Sequence, residues 1–156
     1  MSNIIITGVD NSETAYQAAM KAGHLAVALG CELHVLSAFS IRTSETVRSL
    51  HNQGDVEHRS REFERLVDRY ARAADLTASA VAGGLRDKFP GLKVISKAIE
   101  GNPGSALVRE AKVLSAELIV VGNKRLQGAG RILGSVARTV ATEADCDLYI
   151  VHTHPR

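Results

Sequence analysis

Leu118-Ile119-Val120-Val121-Gly122-Asn123-Lys124-Arg125-Leu126-Gln127-Gly128-Ala129-Gly130-Arg131-Ile132-Leu133-Gly134-Ser135-Val136 is the stretch on which the fold turns. The continuous apolar run over 118–121, mostly β-branched, predicts a strand buried on both faces, as the inner strands of a parallel sheet are. Glycines at 122, 128, 130 and 134 mark the loop that follows, and Ser135 opens a helix expected to run to about residue 144. Glycines let backbone amides approach a ligand closely, and a helix N-terminus favours an anion. Lys124, Arg125 and Arg131 add positive charge in the same loop. Physically this is a phosphate cradle; the bland alternative is a linker whose glycines only permit a turn.

Outward from this stretch the chain repeats one alternation. Residues 3–9 form a short apolar, β-branched run that ends in Asp10-Asn11-Ser12, a strand followed by a helix cap. Over 12–29 the apolar positions Ala15, Ala18, Ala22, Leu25 and Leu29 recur at helical spacing, with Gly30 as the stop. A second strand is predicted over 32–39. Residues 40–57 are polar, show no periodicity and are expected to be a loop. Phe63, Leu66, Val67, Tyr70, Ala74, Val81 and Leu85 then make one helical stripe that Pro90-Gly91 ends. A third strand follows over 93–99, then a helix capped by Asn102, with Pro103 in its first turn, running to about residue 115. A last strand is expected over 147–152. Strands alternating with helices predict a doubly wound parallel α/β sheet, because parallel neighbours need a crossover helix. One reversal of winding sets the first and fourth strands side by side. The loops after them, at Gly8-Val9-Asp10-Asn11 and over 122–134, then face each other at the default ligand site of such sheets.

Composition narrows the function classes. The 156 residues suit one domain spanning 1–156. Aromatics make up only 4%, with no Trp, so the core is expected to be aliphatic. The 19 Lys and Arg against 17 Asp and Glu give a formal charge of +2, which argues against a general nucleic-acid or membrane coat. No apolar run approaches the roughly 20 residues of a membrane span, and the N-terminus does not read as a secretion signal. Cys31 and Cys146 form no CxxC pair and read as packed thiols in a reducing cytoplasm. Arg59, Arg61, Arg65, Arg69 and Arg72 interleave with Glu62, Glu64 and Asp68, the pattern of a solvated helix face. His152 and His154, without a cysteine or carboxylate cluster beside them, read as a solvated tail and not a zinc site.

Other phosphate motifs do not fit. A P-loop needs GxxxxGK before Ser or Thr, and no Gly-Lys pair stands in this loop. A dinucleotide fingerprint needs GxGxxG, whereas Gly128-Ala129-Gly130 comes several residues after Val121 and meets Leu133 at its third glycine position. The adenylating SGGxDS loop is also missing after the first strand. No Ser/His/Asp or Cys/His arrangement has local support, so no catalytic residue is assigned.

At the loop the sequence resembles the universal stress protein family, whose hallmark is G-x2-G-x9-G followed by Ser or Thr. Leu118 to Lys124 opens the match, and Leu133-Gly134-Ser135-Val136 closes it. Val9-Asp10-Asn11-Ser12 resembles the family's V-D-x-S turn, and Gly101-Asn102-Pro103 with Ala106-Leu107-Val108-Arg109-Glu110-Ala111 resembles the segment before the fourth strand. The resemblance implies a Rossmann-like five-stranded sheet in order 3-2-1-4-5 with about four helices, of the adenine nucleotide alpha hydrolase type. It implies homodimers paired through the last strand and, in one branch, ATP binding. Carried over by position, Asp10 meets the ribose or adenine side, Val9 lends backbone contacts, and Ala38 offers backbone groups to the adenine edge. Gly122, Asn123, Lys124, Arg125 and Gly128 line the phosphate loop, and Gly134, Ser135 and Val136 its end. Magnesium enters only through a bound triphosphate, near Asp10.

Two departures stand out. Arg125 replaces the second motif glycine, and eight residues, not nine, separate it from Gly134. If position 125 needs a positive φ, arginine is strained there; alternatively the shorter loop re-forms and Arg125 contacts phosphate. The expected function is an ATP-binding (or AMP- or other adenine-nucleotide-binding) regulatory protein of stress adaptation, acting on a protein partner in the cytoplasm. A non-binding dimeric scaffold of the same fold is the alternative, and a slow ATPase or self-phosphorylating protein the third.

Overall fold

The computed structural model describes residues 3–41, 56–124 and 132–153, apart from the side chains of Val56, His58, Arg59 and Lys124. Arg125, Gly128 and Arg131, most of the expected loop over 40–57, His51 and His154 lie outside the described residues. The elements are β1 (Ile4–Gly8), α1 (Glu13–Leu29), β2 (Glu32–Phe39), α2 (Val56–Lys88) and β3 (Val94–Glu100), then α3 (Pro103–Leu114), β4 (Leu118–Lys124), α4 (Ser135–Glu143) and β5 (Asp147–Thr153).

The five strands form one sheet in the order β3-β2-β1-β4-β5, and every neighbouring pair is parallel. The winding therefore reverses between β1 and β4, as the alternation predicts. Because side chains alternate along a strand, each inner strand feeds two cores. Ile5, Leu33, Val35, Val94 and Val120 pack under α1 and α2, against Ala19, Ala22, Ala26, Ala78, Ala82 and Leu85. Ile6, Leu36, Ile99, Ile119 and Val121 pack on the other face against Ala106, Leu107 and Ala111 of α3 and Ala137 and Val140 of α4. Neither core contains a buried aromatic among the described residues, so the aliphatic core read from composition is what forms.

Local chemistry sets most boundaries. Ser12 caps α1, its Oγ accepting from Ala15 N at 3.1 Å. At the far end Gly30 takes φ 66°, a left-handed conformation that costs glycine little, and donates to Ala26 O and Val27 O. Asn102 occupies the cap position of α3, but its side chain makes no cap bond; Pro103 at the start carries the boundary. The helical stripe of α2 is buried only from Ala74 onward, with Phe63 43% and Tyr70 41% exposed. A helix of 33 residues spans about 50 Å, and an 8-residue strand about 27 Å, so the first half of α2 outruns the sheet. The charged side chains from Arg61 to Arg72 are exposed, as expected of a solvated face.

One boundary differs in the decisive stretch. β4 continues through Gly122, Asn123 and Lys124, which pair with Val151, His152 and Thr153. The strand therefore extends to Lys124, three residues beyond the apolar run. Partner strand β5 keeps the ladder going after the aliphatic residues stop.

Candidate functional site

A crevice of about 160 Å³ opens at the carboxyl ends of β1 and β4. Gly8 at the end of β1 and Val9 and Asp10 after it line the crevice, with the cap residue Ser12 and Thr14 and Ala15 of the first turn of α1. Leu36 and Ala38 of β2, Pro103 and Leu107 of α3, Gly122 of β4 and Val136 of α4 complete the wall. Reversal of the winding makes the space, since the helices after β1 and β4 leave on opposite faces and cannot cover the gap between them. Among the described residues its lining is mainly aliphatic and contains no aromatic side chain.

Of the residues expected at a site, Val9, Asp10, Ala38, Gly122 and Val136 come together in this crevice. Asp10 is exposed, and its Oδ1 accepts from Ser12 N at 2.7 Å, closing an Asx turn. Among the described residues nothing donates to its Oδ2. Val9 donates its N–H to Leu36 O at 2.8 Å, so the group it can still offer is its carbonyl. Gly134 is the cap of α4, and Ser135 its first residue, one position later than a capping serine would stand.

Two residues behave differently from their expected parts. Gly122 is a packing glycine: a Cβ there would lie 2.7 Å from Thr14 O and 2.8 Å from Thr14 Cγ2. Asn123 is 8% exposed, and its side chain serves the protein itself. Its Oδ1 accepts from Gly134 N at 2.7 Å, and its Nδ2 donates to Ile132 O at 3.5 Å. Lys124 is placed by its backbone at the end of β4, paired with Thr153. Thr14, Leu36 and Leu107 were not singled out from the sequence as wall residues. Leu36 looks like core in sequence and Thr14 carries no motif; Pro103 and Leu107 fall in the segment Gly101-Asn102-Pro103 to Ala111, which signals a family likeness and not a wall.

Among the described residues the other ionisable groups do not build a second centre. No group of three His, Cys, Asp or Glu side chains among the described residues is arranged to hold a metal. Both cysteines are free, and burial pushes each thiol up from its ordinary value, with Glu117 adding to the effect on Cys31. Glu32 is buried beneath the opposite end of the sheet, bound to Lys93 Nζ at 2.6 Å and His34 Nε2 at 2.7 Å. No described helix is long and apolar enough to cross a membrane.

Comparison with known proteins agrees with this fold. The chain is 31% identical over 154 residues to universal stress protein Rv1636 of Mycobacterium tuberculosis (strain H37Rv), covering 96% of this chain and 95% of that one. Among solved structures it is similar to a universal stress protein in complex with cAMP, with 28% identity, 97% of each chain covered and a TM-score of 0.66. The fold also matches UspA from Lactobacillus plantarum, with a TM-score of 0.71 at 18% identity over 96% of this chain and 97% of that one. The model of the universal stress protein family matches residues 1–152. With sheet order, switch-point crevice and whole-length likeness in agreement, the chain belongs to the universal stress protein family.

Proposed function

We propose that this protein binds an adenine nucleotide in the β1–β4 crevice and couples its occupancy to a protein partner in stress adaptation. The observation that carries the reading is the meeting of Val9, Asp10, Ala38, Gly122 and Val136 around one cavity at the switch point. Aliphatic walls suit the faces of a purine, and the Val9 carbonyl and Ala38 backbone suit its polar edge. Asp10 Oδ2 is the acceptor for a ribose hydroxyl. A cavity of about 160 Å³ is smaller than the roughly 300–1,000 Å³ that engulf a whole drug-sized ligand. The base side therefore sits inside and the phosphates lie outward. On this reading Lys124 and Arg125 supply charge and Gly128, Ser135 and Val136 supply amides, with Asn123 and Gly134, whose N–H Asn123 takes, behind them.

ATP is the first ligand of this reading, with magnesium entering only on its phosphates. A second reading, cAMP, is favoured by the solved relative that holds it at 28% identity. The protein acts as a cytoplasmic homodimer joined through β5, whose outer edge has no strand partner among the described residues; its two free thiols suit a reducing compartment. Calorimetric titration with ATP, AMP, cAMP and adenosine, with identification of any nucleotide that purifies with the protein, tests the proposal. Saturable 1:1 binding per chain is expected. Absence of heat and of co-purified nucleotide at millimolar ligand, with folded protein, rejects it in favour of a non-binding scaffold.

A further inference from the structure

We propose that Asn123 is a positioning residue that aims the N-terminus of α4 at the nucleotide phosphate, an inference that rests on the adenine-nucleotide reading above. Asn123 follows Val121 by two positions, so its side chain faces the same side of the sheet, the side covered by α3 and α4. It is buried, and both halves of its amide are engaged across the loop: Oδ1 with Gly134 N at 2.7 Å and Nδ2 with Ile132 O at 3.5 Å. Its own backbone is fixed by the pairing with His152 and by Thr153 Oγ1, which donates to Asn123 O at 3.4 Å. The residue is thus held by β5 and in turn holds the closing end of the loop, eleven positions along the chain.

The consequence lies in which amides remain free. Gly134 N is used by Asn123, and the first helical bond of α4 runs from Arg138 N to Gly134 O at 2.9 Å. The N–H groups of Ser135, Val136 and Ala137 precede any intrahelical partner, as at every helix start. Val136 lines the crevice, so this end of α4 is directed at the ligand. Farther along, Gly104 of α3 lets α4 pack so closely that a Cβ there would stand 2.6 Å from Thr139 Cβ. Apolar packing at Ala137 and Val140 and the close approach at Thr139 seat the body of the helix, while its cap is held by a polar side chain from the strand bordering the crevice. Asn123 reads as a ligand contact in the sequence motif; its burial and partners make it the support of the contacts instead.

Two variants cut the Asn123–Gly134 bond from opposite sides. Asn123→Ala removes the acceptor. Gly134→Pro removes the donor at an exposed position whose φ of −60° proline already adopts, and its Cδ, standing where the hydrogen was, pushes the Asn123 side chain aside. AMP and adenosine are titrated into the native protein and both variants, and Gly134 amide exchange is followed by NMR in native and Asn123→Ala protein without ligand. The expected result is AMP affinity weakened about tenfold or more in both variants, adenosine affinity changed by less than about threefold, and Gly134 protection lost in Asn123→Ala. Equal weakening of AMP and adenosine, an unchanged AMP affinity, or an unprotected Gly134 amide in the native protein overturns the assignment. If the native protein binds neither ligand, the adenine-nucleotide reading fails and this inference with it. If it binds both and the AMP-to-adenosine ratio survives in both variants, only the role of Asn123 fails.

Discussion

A methyl group on Gly122 would stand 2.7 Å from the carbonyl oxygen of Thr14, so the end of β4 and the first turn of α1 meet backbone to backbone. Gly122 is not among the described glycines with positive φ, so closeness and not conformational freedom is what excludes a side chain. The same contact forms one wall of the crevice. Gly122→Ala is therefore expected to cost about 1–3 kcal/mol, since a carbonyl cannot rotate away as a side chain does. Denaturant unfolding measures the loss, and nucleotide titration should show a weaker site. A variant as stable as the native protein would mean that α1 moves freely on β4.

Ala38 borders the crevice at the end of β2 and is only partly buried. Ala38→Leu places three more carbons in a space of about 160 Å³. Adenine-nucleotide affinity is expected to fall at least about tenfold, with stability within about 1 kcal/mol of native because the added atoms face the opening. Unchanged affinity, by calorimetry, would place the base elsewhere.

The ion pair of Glu32 predicts a pH dependence of stability. The hydrogen bond from Lys93, and then that with His34, hold the Glu32 carboxyl below the ordinary value of 4.5. The charged form is thus favoured in the folded state. Its contribution is complete above the unfolded value and is lost as pH falls through the lower folded one. Glu32→Gln should be about 1–2 kcal/mol less stable at pH 7, and the two unfolding curves should converge as pH drops below 4.5. A gap that does not narrow at all as pH falls below 4.5 would show that side-chain shape, not charge, carries the difference.

Two cap positions that look alike in sequence should respond differently. Ser12 accepts from Ala15 N, so Ser12→Ala is expected to cost about 1 kcal/mol in thermal unfolding. Asn102 makes no side-chain cap bond, so Asn102→Ala should stay within about 0.5 kcal/mol of native. Equal losses would contradict the cap assignment.

The outer edge of β5 carries Tyr149, 40% exposed, on a strand paired with β4 alone among the described residues. If β5 joins two copies, Tyr149→Asp places two like charges near the shared edge and should weaken the dimer at least about tenfold by sedimentation. A native protein that sediments as a monomer at micromolar concentration would remove the interface.

Much of this architecture is legible in the chain because local signals agree with one another. The aliphatic run over 118–121, the Ser12 cap and the Gly30 stop each have a mechanism that acts within a few residues. The glycine-rich stretch from Gly122 to Ser135 and the Asp10 turn mark in sequence the ends of two strands, and a parallel winding with one reversal leaves those ends adjacent. Gly122, Asn123 and Lys124 read as loop because their strand character comes from β5, not from their own side chains. The outer half of α2 shows an apolar stripe yet stays exposed at Phe63 and Tyr70, since helical periodicity carries no information about where the sheet beneath it ends.

What the sequence by itself determined was the order and type of the elements, the aliphatic core and the two strand ends that meet at the switch point. These follow from periodicity, capping and the geometry of parallel strands, all of which act locally or through topology. Tertiary structure alone decided what single residues do there. Gly122 faces the Thr14 carbonyl, the Val9 amide is taken by Leu36, and the Asn123 amide is turned inward to hold Gly134. A glycine, an amide N–H or an asparagine is equally able to meet a ligand or a neighbour, and only the packing of distant segments chooses between them.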